Sequence, residues 1–348
     1  MRRRQALTLA SFCTLNALLG CATSPQEPLR WLALPAVDTA TPLRVVYAHN
    51  PRFTRPPEGF VTQVLQRAQT LSRAHLGLIV NFDTPREVPI SAVFDELSPD
   101  IWEKLKAEVY DVKAGTGDRN RLIKTTAQHL ARNRSTLAAQ IEFAKPHLVS
   151  STTPTDVASL AEALVDTQLN RFAAWLKLQG SHGQALLDGS FYNEYLAWIQ
   201  AASSWAYEVV ITNQLIASVE YADNATHSAL RGGVTNGVTM QARLSRYGTA
   251  SVVSLFPMLS QDASMRQLRG DFEGQTTNAV EAAAAMLVHV LGHQLLHLGH
   301  PFGRTACIMS PPELLRFDAW TRQLNGMQCP LGNHPENKPG AVKFDAVI

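Results

Sequence analysis

At 348 residues, with 45% hydrophobic and 17% charged side chains, the chain can bury one large core or two smaller ones, which excludes the disordered and fibrous classes. Its 31 basic and 29 acidic residues give a formal charge of +2, so there is no electrostatic case for nucleic acid as a partner. Function has to be argued from a site.

Arg2, Arg3 and Arg4 precede a small, apolar run from Ala6 to Leu19, the layout of a secretory signal, and that run is too short to span a bilayer stably. It closes on Leu18-Leu19-Gly20-Cys21, which resembles the lipobox of bacterial lipoproteins. The resemblance implies a signal peptide over 1–20, cleavage before Cys21, and lipid on that cysteine as a membrane anchor. Ala22 after the cysteine implies the outer membrane, with the folded part in the envelope facing the periplasm. Cys13 would leave with the signal and Cys21 would carry lipid, so Cys307 and Cys329 remain. In an oxidising envelope these two are expected to form a disulfide, closing a loop of about 20 residues for roughly 3 kcal/mol; the alternative is two free buried thiols.

Residues 21–40, with Pro25, Pro28 and Pro35, read as a lipidated tether. Over 41–97 the pattern is β-α-β. Leu43-Arg44-Val45-Val46-Tyr47 is a short β-branched strand, Val61, Val64, Leu65, Ala68 and Leu71 recur at helical spacing, and Gly77 to Phe82 is a second strand. From 98 to 208 the pattern is helical. Its clearest start is Thr153-Pro154-Thr155-Asp156, capping-box-like with proline at the first helical position, followed by a buried stripe at Val157, Leu160, Leu164, Phe172, Trp175 and Leu176. The aromatic residues Phe191, Tyr192, Tyr195, Trp198 and Trp205 read as core rather than a ligand cage. Strands return at Val209–Thr212 and Ala250–Phe256, separated by a turn region with Gly232, Gly233 and Gly237. The economical fold class is α+β, a sheet interrupted by a large all-helical insertion and completed by 209–348.

From Thr277 the run through Ala282–Ala285 predicts a long helix. It carries His289, His293, His297 and His300, four of the eleven histidines, on one stripe about 80° wide. Imidazoles at i and i+4 can share one ion, but an unbroken helix would separate His289 from His300 by roughly 16 Å. The helix must therefore end first, and Gly299 is a residue where it can. The alternative is a set of core histidines satisfied by hydrogen bonds.

The segment resembles the active-site helix of the metzincin zinc peptidases, H-E-x-x-H-x-x-G-x-x-H followed by a turn containing methionine. Cys307-Ile308-Met309-Ser310-Pro311 looks like that turn, in a C-x-M form similar to the archaemetzincin branch. The resemblance implies a metzincin-like catalytic domain: a β-α-β start and further strands, then the active-site helix, the methionine turn and a closing helix within 311–324. It implies one zinc ion on His289, His293 and His300, with Met309 as an apolar floor. The departures are Val290 in place of the general-base glutamate, Leu296 in place of the signature glycine, and His300 one residue late. In a second register His293 and His297 are the helix ligands and Gln294 stands at the glutamate position.

Two functions follow. One is a membrane-anchored zinc metallopeptidase that hydrolyses a peptide or protein with metal-activated water, its base borrowed from elsewhere; Glu313 and Asp318 are near in sequence. The other is a catalytically inactive relative serving as a binding or structural lipoprotein.

Overall fold

The computed structural model describes residues 30–31, 40–100, 102–103, 118–132, 136–145, 148–180, 182–187, 191–193, 195–202, 205–222, 225–235, 250–271, 277–296, 298, 306–312, 315–324 and 330–331. The signal peptide, Cys21 and most of the tether lie outside them. Three tether residues do not: Ala40, and the two of β1 (Arg30–Trp31), which pairs antiparallel with β11 (Pro330–Leu331).

The first expected strand is split at Arg44. Its backbone N–H donates to Glu208 Oε2 at 2.7 Å, and the guanidinium grips the same carboxylate. On one side of the break, β2 (Thr41–Leu43) pairs in parallel with β4 (Val80–Phe82); on the other, β3 (Val45–His49) joins the main sheet. α1 (Phe60–Leu76) links β2 and β3 to β4 and ends at Gly77, which takes the left-handed φ of 66° that glycine adopts without strain. Of its expected stripe, Val64, Leu65, Ala68 and Leu71 are buried.

The main sheet has the order β5-β3-β6-β10-β9, with β5 (Arg86–Pro89), β6 (Val209–Thr212), β9 (Gly233–Thr235) and β10 (Ser251–Ser254). All pairs are parallel except β9, which runs antiparallel to β10 at the edge. Every residue of β6 and β10 is buried, as expected of central parallel strands covered on both faces. Alternation along β3 sends Val45 and Tyr47 into one core and Val46 and Ala48 into the other.

The first of these cores is closed by α1 and α9 (Ala279–Leu296). The second is closed by α2 (Ile90–Asp95) and by α6 (Tyr195–Ala202), where Trp198 and Trp205 pack edge-on to Phe94. Part of the block read as an insertion is therefore a layer of the sheet. The rest, α3 (Arg119–Arg132), α4 (Leu137–Ala144) and α5 (Val157–Trp175), has a small core of its own around Leu130, Ala144, Leu160 and Leu164. α5 begins three residues later than expected. Asp156 is the cap, accepting from the Ser159 N–H at 2.7 Å while Ser159 Oγ receives the Asp156 N–H.

The stretch read as a glycine-rich turn holds a hairpin, β7 (Ile216–Ala222) with β8 (Ala225–Arg231), and then β9. Gly232 and Gly233 serve close approach here. A Cβ on Gly233 would lie 2.8 Å from Met286 Cγ and 3.0 Å from Val290 Cγ1, so the bare backbone lets the edge strand lie against α9. The strand expected to reach Phe256 stops at Ser254 and gives way to α7 (Phe256–Leu259) and α8 (Ala263–Arg269), with α10 (Phe317–Gln323) following α9.

Candidate metal centre

α9 is apolar and long enough to cross a bilayer, yet every residue from Ala282 to Gly292 is buried within the fold. Two of its histidines meet. His289 and His293, one turn apart, stand with ring planes at 88° and centroids 4.7 Å apart, and their Nε2 atoms are separated by 3.1 Å.

Each ring is oriented by a backbone carbonyl. His289 Nδ1–H donates to the Ile308 carbonyl at 2.9 Å, and His293 Nδ1–H donates to the Leu298 carbonyl. A carbonyl only accepts, so both protons sit on Nδ1, and in the neutral rings both Nε2 atoms present lone pairs to one another. Burial keeps the rings neutral. It pushes His289 down to about 3, reinforced by His293 and opposed by the Ile308 carbonyl, and it pushes His293 down to about 4, opposed by the Leu298 carbonyl. The two Nε2 atoms, 3.1 Å apart, are close enough to share one cation. Outer carbonyls that fix the tautomer are the usual support of metal-bound imidazoles. Two nitrogens on one tetrahedral zinc stand about 3.3 Å apart, close to the separation here.

The Leu298 carbonyl is available because the chain has left the helical path. α9 ends at Leu296, and the Leu298 N–H reaches back to the Gly292 carbonyl at 3.2 Å, two residues beyond the helical partner. The helix thus ends before Gly299. His297, Gly299 and His300 lie outside the described residues, and among the described residues no group of three or more His, Cys, Asp or Glu side chains converges.

Beneath the pair runs the turn Cys307–Ser310, closed by the Ser310 N–H donating to the Cys307 carbonyl at 2.9 Å. Ile308 and Met309 are fully buried. Met309 lies hard against α9 at Gly292, where a Cβ would collide with its Sδ and come within 3.4 Å of Leu76 Cδ1. Cys307 is disulfide-bonded, and the other three cysteines, Cys329 among them, lie outside the described residues. Sequence reasoning missed Trp320. Its indole packs edge-on to His289 with centroids 6.2 Å apart, and its buried Nε1 has no hydrogen-bond partner among the described residues.

Neither residue at the glutamate position faces this pair as a base. Val290 is 2% exposed and packs toward Gly233 of the edge strand. Gln294 is stitched to the sheet, its Oε1 accepting from Ser251 Oγ at 2.6 Å and its Nε2 donating to the Glu208 carbonyl at 3.2 Å. Asp318 pairs with Arg322 at 2.6 Å, and two residues along α10 set it about 200° from Trp320, which faces His289. Glu313 lies outside the described residues. Comparison with family models, curated proteins and solved structures finds no match.

Proposed function

We propose that this chain is an envelope lipoprotein, anchored through lipid on Cys21, whose folded part carries a metzincin-like zinc site on α9. The observation that carries the site is the pair of Nε2 atoms 3.1 Å apart on rings whose Nδ1 protons are both committed to carbonyls. His289 and His293 would hold the ion, with His300 or His297 completing the ligand set. The order of elements supports the same reading: a β-α-β start, further strands, the histidine helix, a methionine-bearing turn and a closing helix.

Zinc bound there would supply Lewis acidity, polarising a carbonyl or lowering the pKa of a bound water. Peptide hydrolysis also needs a group to take the proton, and losing a general base costs about 10²–10⁴-fold in rate. Val290 packed into the core and Gln294 spent on the sheet leave no base at the glutamate position of either register. This favours a metal-holding protein that binds a peptide or protein over one that cleaves it.

The test is elemental analysis of the lipidated chain purified in detergent, with a peptide-library assay beside it. About one zinc per chain, lost in His289→Ala and in His293→Ala, is expected. Less than about a tenth of an equivalent after reloading with excess zinc would sink the metal site. Chelator-sensitive cleavage of the library would restore the peptidase reading.

A further inference from the structure

Resting on the zinc reading above, we propose that the disulfide at Cys307 controls the site: the oxidised protein holds metal tightly, and the protein reduced by a dithiol holds it loosely. The coupling runs through three consecutive residues. Cys307 is covalently cross-linked and its carbonyl closes the turn onto the Ser310 N–H. Ile308 supplies the carbonyl that receives the His289 Nδ1 proton at 2.9 Å. Met309 wedges the turn against α9 at Gly292, which fixes how far that carbonyl stands from the helix.

His289 is 5% exposed, so water cannot take over from the Ile308 carbonyl unless the core opens. When the cross-link is cut, the turn loses its covalent restraint and the carbonyl can drift. The His289 proton is then no longer confined to Nδ1, and with the proton on Nε2 that nitrogen has no lone pair for an ion. Loss of such an outer partner costs 10–100-fold in metal affinity.

The chemistry balances. Cys307 is 2% exposed, so the dithiol thiolate attacks the sulfur bonded to it: that forms a mixed disulfide and releases the Cys307 thiolate, and the second dithiol thiolate then displaces the other protein thiolate. The dithiol leaves as a cyclic disulfide after giving up two electrons, and two protein thiols take up the two protons. Coupling is reciprocal, so metal also protects the cross-link: each tenfold in zinc affinity makes the disulfide potential about 30 mV more negative.

The experiment uses the full chain in detergent. Zinc affinity is measured by competition with a chromophoric chelator, before reduction and after dithiol treatment, thiol alkylation and dialysis. Zinc release and far-UV circular dichroism are followed together from the moment of reduction. At least tenfold weaker binding is expected, with zinc leaving while the helical signal persists. Equal affinity in the two forms overturns the inference and leaves the zinc site standing. Zinc release only in step with loss of helix also overturns it, since the disulfide would then serve the fold alone. An oxidised protein that takes no zinc overturns the site itself.

Discussion

Burying two neutral imidazoles side by side has a cost that depends on pH. Both rings are neutral in the fold and protonate near the ordinary value of 6.5 once unfolded, so between pH 6.5 and the depressed folded values the unfolded state binds more protons. The stability contributed by neutral burial is complete above about 6.5 and is lost as the pH falls through about 4 and then about 3. Buried His75, also shifted downward by burial, acts with the same sign. Urea titrations of metal-free protein should therefore give a midpoint that falls on acidification below about pH 6.5, and His289→Gln should flatten that fall; an unchanged slope in the variant would contradict the assignment. Val290 yields a second expectation. With its side chain 2% exposed against a backbone that has no room for a Cβ, Val290→Glu should destabilise by about 3 kcal/mol or more in chemical denaturation rather than gain hydrolysis. His289, His293 and Met309 were readable because residue type and spacing carry their chemistry. The Ile308 and Leu298 carbonyls were not, since every residue has one and only the path of the chain selects these two.

At the level of elements, small residues decide how closely layers meet. Gly292 lets the Met309 turn touch α9, and Gly292→Ala should cost about 1–3 kcal/mol in urea unfolding and weaken zinc binding, because Met309 and with it the Ile308 carbonyl must move. The loop after α7 depends on a buried ion pair. Arg269 bonds Asp271 at 2.7 Å and the Pro257 and Ser260 carbonyls, with the Arg269 and Asp271 side chains 2% and 6% exposed. Arg269→Ala strands a buried carboxylate and should cost about 3–5 kcal/mol, whereas a loss under about 1 kcal/mol would mean that water reaches Asp271. The stripe of α1 was legible from its period. The start of α5 was not placed correctly, because Thr153-Pro154 carries a plausible cap signal and the choice of Asp156 rests on Ser159 answering it.

Among the described residues, the molecule is a largely parallel sheet between two helical layers, one of which carries His289 and His293, with a small helical core of α3, α4 and α5 in addition. On the lipoprotein reading, this assembly works at a membrane surface. Cys21→Ser should move the chain from the membrane fraction to the soluble fraction without changing zinc content, and retention in the membrane would refute lipid anchorage. Sequence alone determined which segments are apolar on one side and which histidines can share a helix face, because these follow from local period and residue chemistry. It misread Gly233 as part of a turn, although that residue opens an edge strand. Tertiary structure decided that α6 belongs to the sheet, that Gln294 is tied to β10, and that the Ile308 carbonyl of a disulfide-bonded turn meets His289. Those outcomes depend on contacts between residues far apart in the chain, which no local pattern encodes.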